Sequence, residues 1–413
     1  MIINQAYGGG GVKLTLTVSV TTGSAVTATD GSKIVTGTSE SGTCVLKLPE
    51  AGTWNISATL NGETTNTATV TVSDDFAVTL TYFSATITVT VASGASVTCT
   101  NGSTTYTATS DGTAVFTVKE TGTWTVTATL NSQTISGTVD VVSGTTAYSL
   151  TLNFVSSTLN DNDWSVISDV SDEGTGANYW SIGDRKAVAL SGTVGSLTFS
   201  GTYYAFIIGF NHNSAKEGSN RIHFQFAKTA LSGGTDVCFI DSKYNTSVSS
   251  TGYFSMNSTN TNVGGWSSSQ MRSLLGTSIS SYSGKFIGAL PSDLRAVLKS
   301  VTKYTDNAGN SSTSAANVTA TTDYLFLLAE YEVFGSISYA NSNESAKQAQ
   351  YAYYSAGNSK IKYQHTATTT AARWWLRSPI SSGAATFVLV DTGGSVYGSG
   401  AYNSHGVAPG FCV

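Results

Sequence analysis

At 413 residues the chain is long for a single core, and the length favours two to four domains. Only 11% of residues are charged, 42 are glycine, 40% are hydrophobic and 10% aromatic; this excludes a disordered chain and, with its runs of Thr, Ser, Ala and Val, argues against an all-helical one. The formal charge of −5 carries no basic stripe, so nucleic acid is not an expected partner.

Residues 1–8 have neither a positive n-region nor an apolar h-region, so no secretory signal is expected there. Gly8, Gly9, Gly10 and Gly11 make residues 1–11 a flexible N-terminal tether. The sequence then repeats itself. Gly23 to Gly31 reads GSAVTATDG and Gly94 to Gly102 reads GASVTCTNG; Glu50 to Trp54 and Glu120 to Trp124 echo each other in the same way, at a period of about seventy residues. Stretches such as Lys13 to Val20 and Thr86 to Val91 alternate apolar and hydroxyl residues with the period of a half-buried strand. Turn signals at Asp30-Gly31, Asn61-Gly62, Asn101-Gly102 and Asp111-Gly112 separate them. Residues 12–83 and 84–155 are therefore expected to form two all-β sandwiches, each anchored by one tryptophan, Trp54 or Trp124.

From residue 156 to 413 the pattern changes to α+β. Trp164, Ile167 and Val170 recur at helical spacing before Gly174. Leu290, Leu294, Val297, Leu298 and Val301 form a helical stripe behind Pro291, and Ser269 to Leu275 forms a shorter helix. Strands are expected over Leu197 to Phe210, Arg221 to Phe226 and Phe387 to Val390. The longest apolar runs, Tyr203 to Phe210 and Tyr324 to Ala329, are too short to cross a bilayer, so membrane insertion is not expected.

No nucleophile elbow, phosphate loop or metal-binding His pair stands out. The four histidines, His212, His223, His365 and His405, are dispersed, although His212 and His223 could share a strand pair. Cys44, Cys99, Cys238 and Cys412 lack CxxC spacing, so no metal and no cofactor are expected and disulfides are optional. In Trp374-Trp375-Leu376-Arg377-Ser378-Pro379, adjacent tryptophans in a strand would face opposite ways, which points to one core residue; burial of both under loops is the alternative. Arg377 and Arg272 are expected as buried posts that hydrogen-bond loop carbonyls. Between Pro379 and Pro409 the chain mixes Tyr with Ser, Gly and Asn, the composition of binding loops. Tyr397, Ser399, Tyr402, Asn403, Ser404 and His405 are the expected recognition face, with Ser381, Ser382 and Thr386 in support; a solvent-exposed hairpin is the plainer alternative.

An ordered set of motifs spans residues 160–413: Asn178-Tyr179-Trp180, Gly209-Phe210-Asn211-His212, Gly264-Gly265-Trp266, Met271-Arg272, Glu332-Val333-Phe334-Gly335, WWLRSP, and Gly406-Val407-Ala408-Pro409-Gly410-Phe411. In these the chain resembles a domain family common in phages and prophages of Gram-positive gut bacteria, whose members end in WWLRSP and GVxPxF. The resemblance implies a C-type-lectin-like fold, akin to formylglycine-generating enzymes and to the variable proteins of diversity-generating retroelements, which diversify their last segment. The two N-terminal repeats are similar to immunoglobulin-like or bacterial surface modules. The chain lacks the Glu-Pro-Asn and Trp-Asn-Asp triplets of calcium-dependent lectins and the paired reactive cysteines of formylglycine-generating enzymes. Neither activity is carried over by the fold.

The resemblance implies a phage tail or fibre adhesin, a receptor-binding protein rather than an enzyme. It would be assembled in the host cytoplasm and released in the virion by lysis, with a bacterial cell-surface location as the alternative. Its expected partners are a host-surface protein or glycan and, through the N-terminal region, other virion subunits; fibre proteins of this kind are often homotrimers. A structural decoration protein and a cell-wall polysaccharide hydrolase are the competing readings. Binding by the isolated C-terminal domain separates the first, and paired carboxylates in a cleft would mark the second.

Overall fold

The computed structural model describes residues 14–194, 197–227, 236–237, 254–364 and 367–413. The Gly8 to Gly11 tether, Cys238 and His365 lie outside them. The protein is mostly β-sheet and divides into two compact units, residues 1–154 and 155–413.

In the first unit the alternating stretches become strands that turn most of their apolar residues inward, with Val45 and Val115 left on the outer face. Leu14–Ser19 alternates buried and half-buried positions, and Thr43–Leu48 and Thr113–Val118 alternate exposed and buried ones. In residues 85–152 a three-stranded sheet (Thr113–Val118, Ala85–Val91, Ala147–Leu152) and a four-stranded sheet (Thr105–Thr109, Ser96–Thr100, Gly122–Leu130, Gln133–Val141) share one core. Residues 14–80 repeat this order, except that the strand returning along Gly52–Leu60 is broken into Glu63–Thr64 and Ala68–Val72. Trp54 and Trp124 are fully buried at the two centres. Trp124 stacks on Tyr106 and donates Nε1–H to the Glu120 carbonyl at 3.2 Å. Cys44 and Cys99 are free and buried.

The second unit is built on a five-stranded antiparallel sheet in the order Arg185–Val194, Leu197–Phe210, Ile222–Ala227, Gly410–Cys412, Leu325–Phe326. The chain's last strand thus sits between two others, which fixes Pro409 to Val413 inside the core. The helix Trp164–Asp172 lays Trp164 edge-on against Phe224 and Phe411, at 5.5 and 5.9 Å between ring centres. Around this lie the pair Val301–Asp306 with Val318–Asp323 and a three-stranded sheet, Trp374–Pro379, Thr386–Val390, Val396–Gly400.

The expected long helix from Leu290 to Val301 is not formed. Helix runs only over Ser292–Val297; Leu298 is extended (φ −60°, ψ 126°) and Val301 opens a strand. The cause is a tertiary bond that outweighs local periodicity: the Lys299 N–H donates to the Cys412 carbonyl at 2.9 Å, which pulls the chain out of the helix onto the C-terminal strand. Gln270–Leu275 is helical, with Ser269 as its cap: the Ser269 hydroxyl accepts the Arg272 N–H. At Gly265, φ is +52° and an added Cβ would lie 2.1 Å from the Asp306 carbonyl oxygen, so the Gly-Gly-Trp turn needs glycine there. No helix among the described residues is long and apolar enough to cross a membrane.

Candidate functional site

Two polar constellations stand out in the second unit, one sealed and one open. The sealed one gathers on Lys303, whose side chain points inward from Val301–Asp306. Its ammonium donates to Glu217 Oε2 at 2.5 Å, Tyr351 OH at 2.7 Å and Glu332 Oε1 at 3.1 Å, and lies 4.2 Å from the centre of the Phe326 ring. Arg377 grips the same Glu332 with both terminal nitrogens, at 2.5 and 2.8 Å. It also donates to Thr305 Oγ1 and to the carbonyls of Leu327 and Tyr304. Two cations thus face two carboxylates, and all four side chains are 0–2% exposed. Burial raises the Glu217 carboxyl; Arg377 and Lys303 outweigh burial at Glu332 and hold it ionised.

His212 stacks on Tyr351 at 3.7 Å, and His223 Nδ1 lies 3.1 Å from Tyr351 OH and 3.3 Å from Cys412 Sγ. Burial pushes His212 down to about 3 and the Cys412 thiol up to about 12, so both stay neutral. The two rings do meet, at 5.4 Å, but not as a strand pair: His212 lies in the turn after Leu197–Phe210, and His223 pairs with Gly209. Ligand atoms of His212, Glu217 and Glu332 lie within 4.8 Å of one another, but the positive charge they face is already supplied by the Lys303 ammonium. What this constellation does physically is pin the strands Val301–Asp306 and Trp374–Pro379 to the short helices Ser214–Glu217 and Glu330–Phe334.

The open constellation lies on the three-stranded sheet. Strand pairing puts Trp375, Leu389 and Tyr397 in one row and Phe387 with Ser399 in the next, so their side chains share a face. Trp375 and Leu389 are fully buried, while Tyr397, on the edge strand, is 48% exposed. Trp375 donates Nε1–H to the Phe254 carbonyl at 2.9 Å and meets the His405 ring edge-on at 4.8 Å. His405 Nε2 exchanges a hydrogen bond with Ser399 Oγ at 2.8 Å, and Asn403 donates to the same oxygen at 2.9 Å. Burial, then the charge of Arg373, lowers His405 to about 4. Arg373 is exposed, and its guanidinium carbon lies 5.4 Å from the centre of the Tyr397 ring.

Six of the expected residues, Tyr397, Ser399, Tyr402, Asn403, Ser404 and His405, follow one another along this edge, with Ser399 the buried one. The supporting three do not share their face. Thr386 pairs with Gly400, and the pleat therefore turns its side chain away from Tyr397 and Ser399. Ser381 spends its hydroxyl and its N–H on the Tyr339 carbonyl, and Ser382 is exposed in the turn. Both tryptophans of WWLRSP are fully buried, because loops cover both faces of the sheet: Trp374 donates Nε1–H to the Lys360 carbonyl and stacks on Tyr354. The expectation of a single core tryptophan is corrected accordingly. Arg377 and Arg272 each bond carbonyls as expected, and each also grips a carboxylate, Glu332 and Asp323; Arg377 is fully buried, but Arg272 is only half-buried, a correction to the expectation of two buried posts. Sequence reasoning missed Arg373, although it adjoins WWLRSP. It also missed the anchoring role of Asn262, whose amide donates to the carbonyls of Ile380, Gly383 and Thr386 and holds the 380–386 turn.

Residues 236–413 match the family described as a domain of unknown function, DUF6273. None of the curated proteins matches the chain. Among solved structures, the chain is similar to the Bacillus anthracis TIE protein at 11% identity and a TM-score of 0.16, over 53% of this chain and 46% of that one. It thus spans about half the length of that protein. It is also similar to the CBM26-family module CBMbc from Eubacterium rectale, solved in complex with maltoheptaose, at 14% identity and a TM-score of 0.14, over 34% and 92% of the two chains. The third is a tandem immunoglobulin-domain pair of titin, at 9% identity and a TM-score of 0.10, over 34% and 95%. At such scores none of these likenesses carries an argument.

Proposed function

We propose that the chain is an adhesin of the phage tail or fibre type, in which immunoglobulin-like modules act as a spacer and a C-type-lectin-like domain of residues 155–413 reads a host-surface ligand. The observation that carries this reading is the Tyr397 edge. A half-exposed tyrosine, an exposed arginine and a hydrogen-bonded Ser-Asn-His set stand on a base of fully buried Trp375 and Leu389. Rigid aromatic contact area flanked by adaptable polar groups is what binding loops use, and a packed base lowers the entropy lost on binding. Glu217, Glu332, His223 and Cys412, the titratable groups gathered around Lys303, are sealed in the core, which favours a reading of binding without catalysis.

The family resemblance in WWLRSP and GVAPGF supports the virion setting and the diversified-segment kinship. The test is binding of the purified chain to whole cells of Gram-positive gut bacteria and to a glycan array, compared with the Tyr397→Ala variant. Binding that Tyr397→Ala weakens supports the reading. A well-folded chain that binds neither cells nor glycans turns it towards a structural decoration protein.

A further inference from the structure

We propose that the ligand of the Tyr397 edge is an acidic saccharide, of the uronic or sialic acid class, whose carboxylate is taken by Arg373. This rests on the binding reading above and adds the ligand's chemistry to it. Arg373 is exposed, and its guanidinium lies over the Tyr397 ring without a hydrogen bond or ion pair to any described residue. Asp391, which follows the strand Thr386–Val390, directs Oδ1 to the N–H groups of Gly393 and Ser395, both at 2.8 Å, and forms no ion pair with Arg373. His405 stays neutral at physiological pH. The edge therefore carries one positive charge that its own side chains do not pair.

A guanidinium held over an aromatic ring keeps its outer edge free, and that edge is a planar fork of donors matched to a carboxylate. Two hydroxyls on the same edge, those of Tyr397 and Tyr402, bond no other described residue and remain available to a polyhydroxylated ligand. Ser399, Asn403 and His405 form a hydrogen-bonded set that holds the edge in place beneath them. The half-exposed Tyr397 ring offers an apolar plane to the C–H face of a pyranose. An acidic peptide would offer Arg373 a carboxylate but no pyranose face to the Tyr397 ring.

The experiment compares affinities of the full chain for paired probes: sialyllactose against lactose, and a glucuronic-acid-terminated oligosaccharide against its glucose-terminated counterpart. The expected result is a preference of about tenfold or more for each acidic member. Arg373→Gln should abolish that preference without moving the melting temperature, and Arg373→Lys, which keeps the charge but not the fork, should retain part of it. The preference should also shrink between about 0.1 and 1 M salt, as the screening length falls from about 10 to 3 Å. Equal binding of neutral and acidic probes, or Arg373→Gln without effect, overturns the ligand class but leaves the adhesin reading standing if Tyr397→Ala still weakens binding. Competition by polyglutamate and not by sialyllactose overturns it in favour of an acidic peptide. Failure to bind any saccharide or any cell overturns both.

Discussion

Removing Arg377 should cost far more than removing both Arg377 and its partner. In the native core Lys303 and Arg377 balance Glu217 and Glu332, with every side chain 0–2% exposed. Arg377→Met fills most of the volume but leaves one buried negative charge in excess and strips Glu332 of two donors at 2.5 and 2.8 Å. Breaking a buried pair from one side costs about 3–5 kcal/mol, chiefly because the abandoned charge has no water. For a unit of this size, with about 2–4 °C per kcal/mol, the fall in melting temperature is roughly 6–20 °C. Adding Glu332→Gln to Arg377→Met removes the stranded charge and should recover a large share of that loss, a coupling above about 1 kcal/mol in a double-mutant cycle. Calorimetry of the four proteins measures it. Additive losses, or an Arg377→Met protein that melts with the wild type, would refute the charge-balance argument and leave Arg377 as a packing residue.

Three further outcomes are expected. Trp375→Ala should cost about 3–5 kcal/mol through the cavity it leaves, whereas Tyr397→Ala should shift stability by less than about 0.5 kcal/mol while weakening binding by about 1–3 kcal/mol; melts and affinities on the same two variants check both. Burial raises Glu344 from the ordinary 4.5 to about 7, so the folded protein keeps a proton that the unfolded chain releases, and this group's contribution falls as pH rises from about 4.5 to 7, by roughly 3 kcal/mol. His212 and His405, held neutral, act in the opposite sense below about 6.5, so the measurement is the difference between wild type and Glu344→Gln in denaturant titrations at pH 5 and 7.5; an unchanged difference would place Glu344 in the ordinary carboxylate range. Residues 155–413 alone should melt cooperatively, since their core cluster contains no residue before Val155, and a broad non-cooperative melt would count against an independent unit.

Much of the strand pattern was legible because it is local. Alternation in Leu14–Ser19 and Ala85–Val91 needs only a two-residue period and one buried face, and a lone tryptophan in a small module has nowhere to go but its centre. The helix after Asp163 was legible for the same reason. The stripe from Leu290 to Val301 misled because its spacing is helical while its backbone partner is Cys412, more than a hundred residues on. The sealed network was illegible for a related cause. Lys303 finds Glu217 from 86 residues away and Glu332 from 29, and no single-chain pattern encodes a charge whose partner arrives through topology. Arg373 escaped notice because nothing in a sequence distinguishes a solvated arginine from one stacked on Tyr397.

The bonds around the Tyr397 edge separate the positions that could change from those that could not. Gly406 is tied twice, its N–H to the Arg373 carbonyl at 2.7 Å and its carbonyl to the Trp375 N–H at 2.9 Å, and Gly410–Cys412 lies inside the main sheet. The loop ends are therefore fixed by backbone bonds, which do not depend on side-chain identity. Ser381, Ser399 and His405 spend their side chains on the structure, and Gly398 leaves room for Ile380, whose Cδ1 would lie 2.2 Å from an added Cβ. Tyr397 and Tyr402 have no such obligation: neither hydroxyl bonds another described residue, and Tyr397 stands on the sheet's outer strand. A scaffold arranged this way can exchange Tyr397 and Tyr402 without exchanging its fold, because its stability resides in Trp375, Arg377 and the C-terminal strand beneath them.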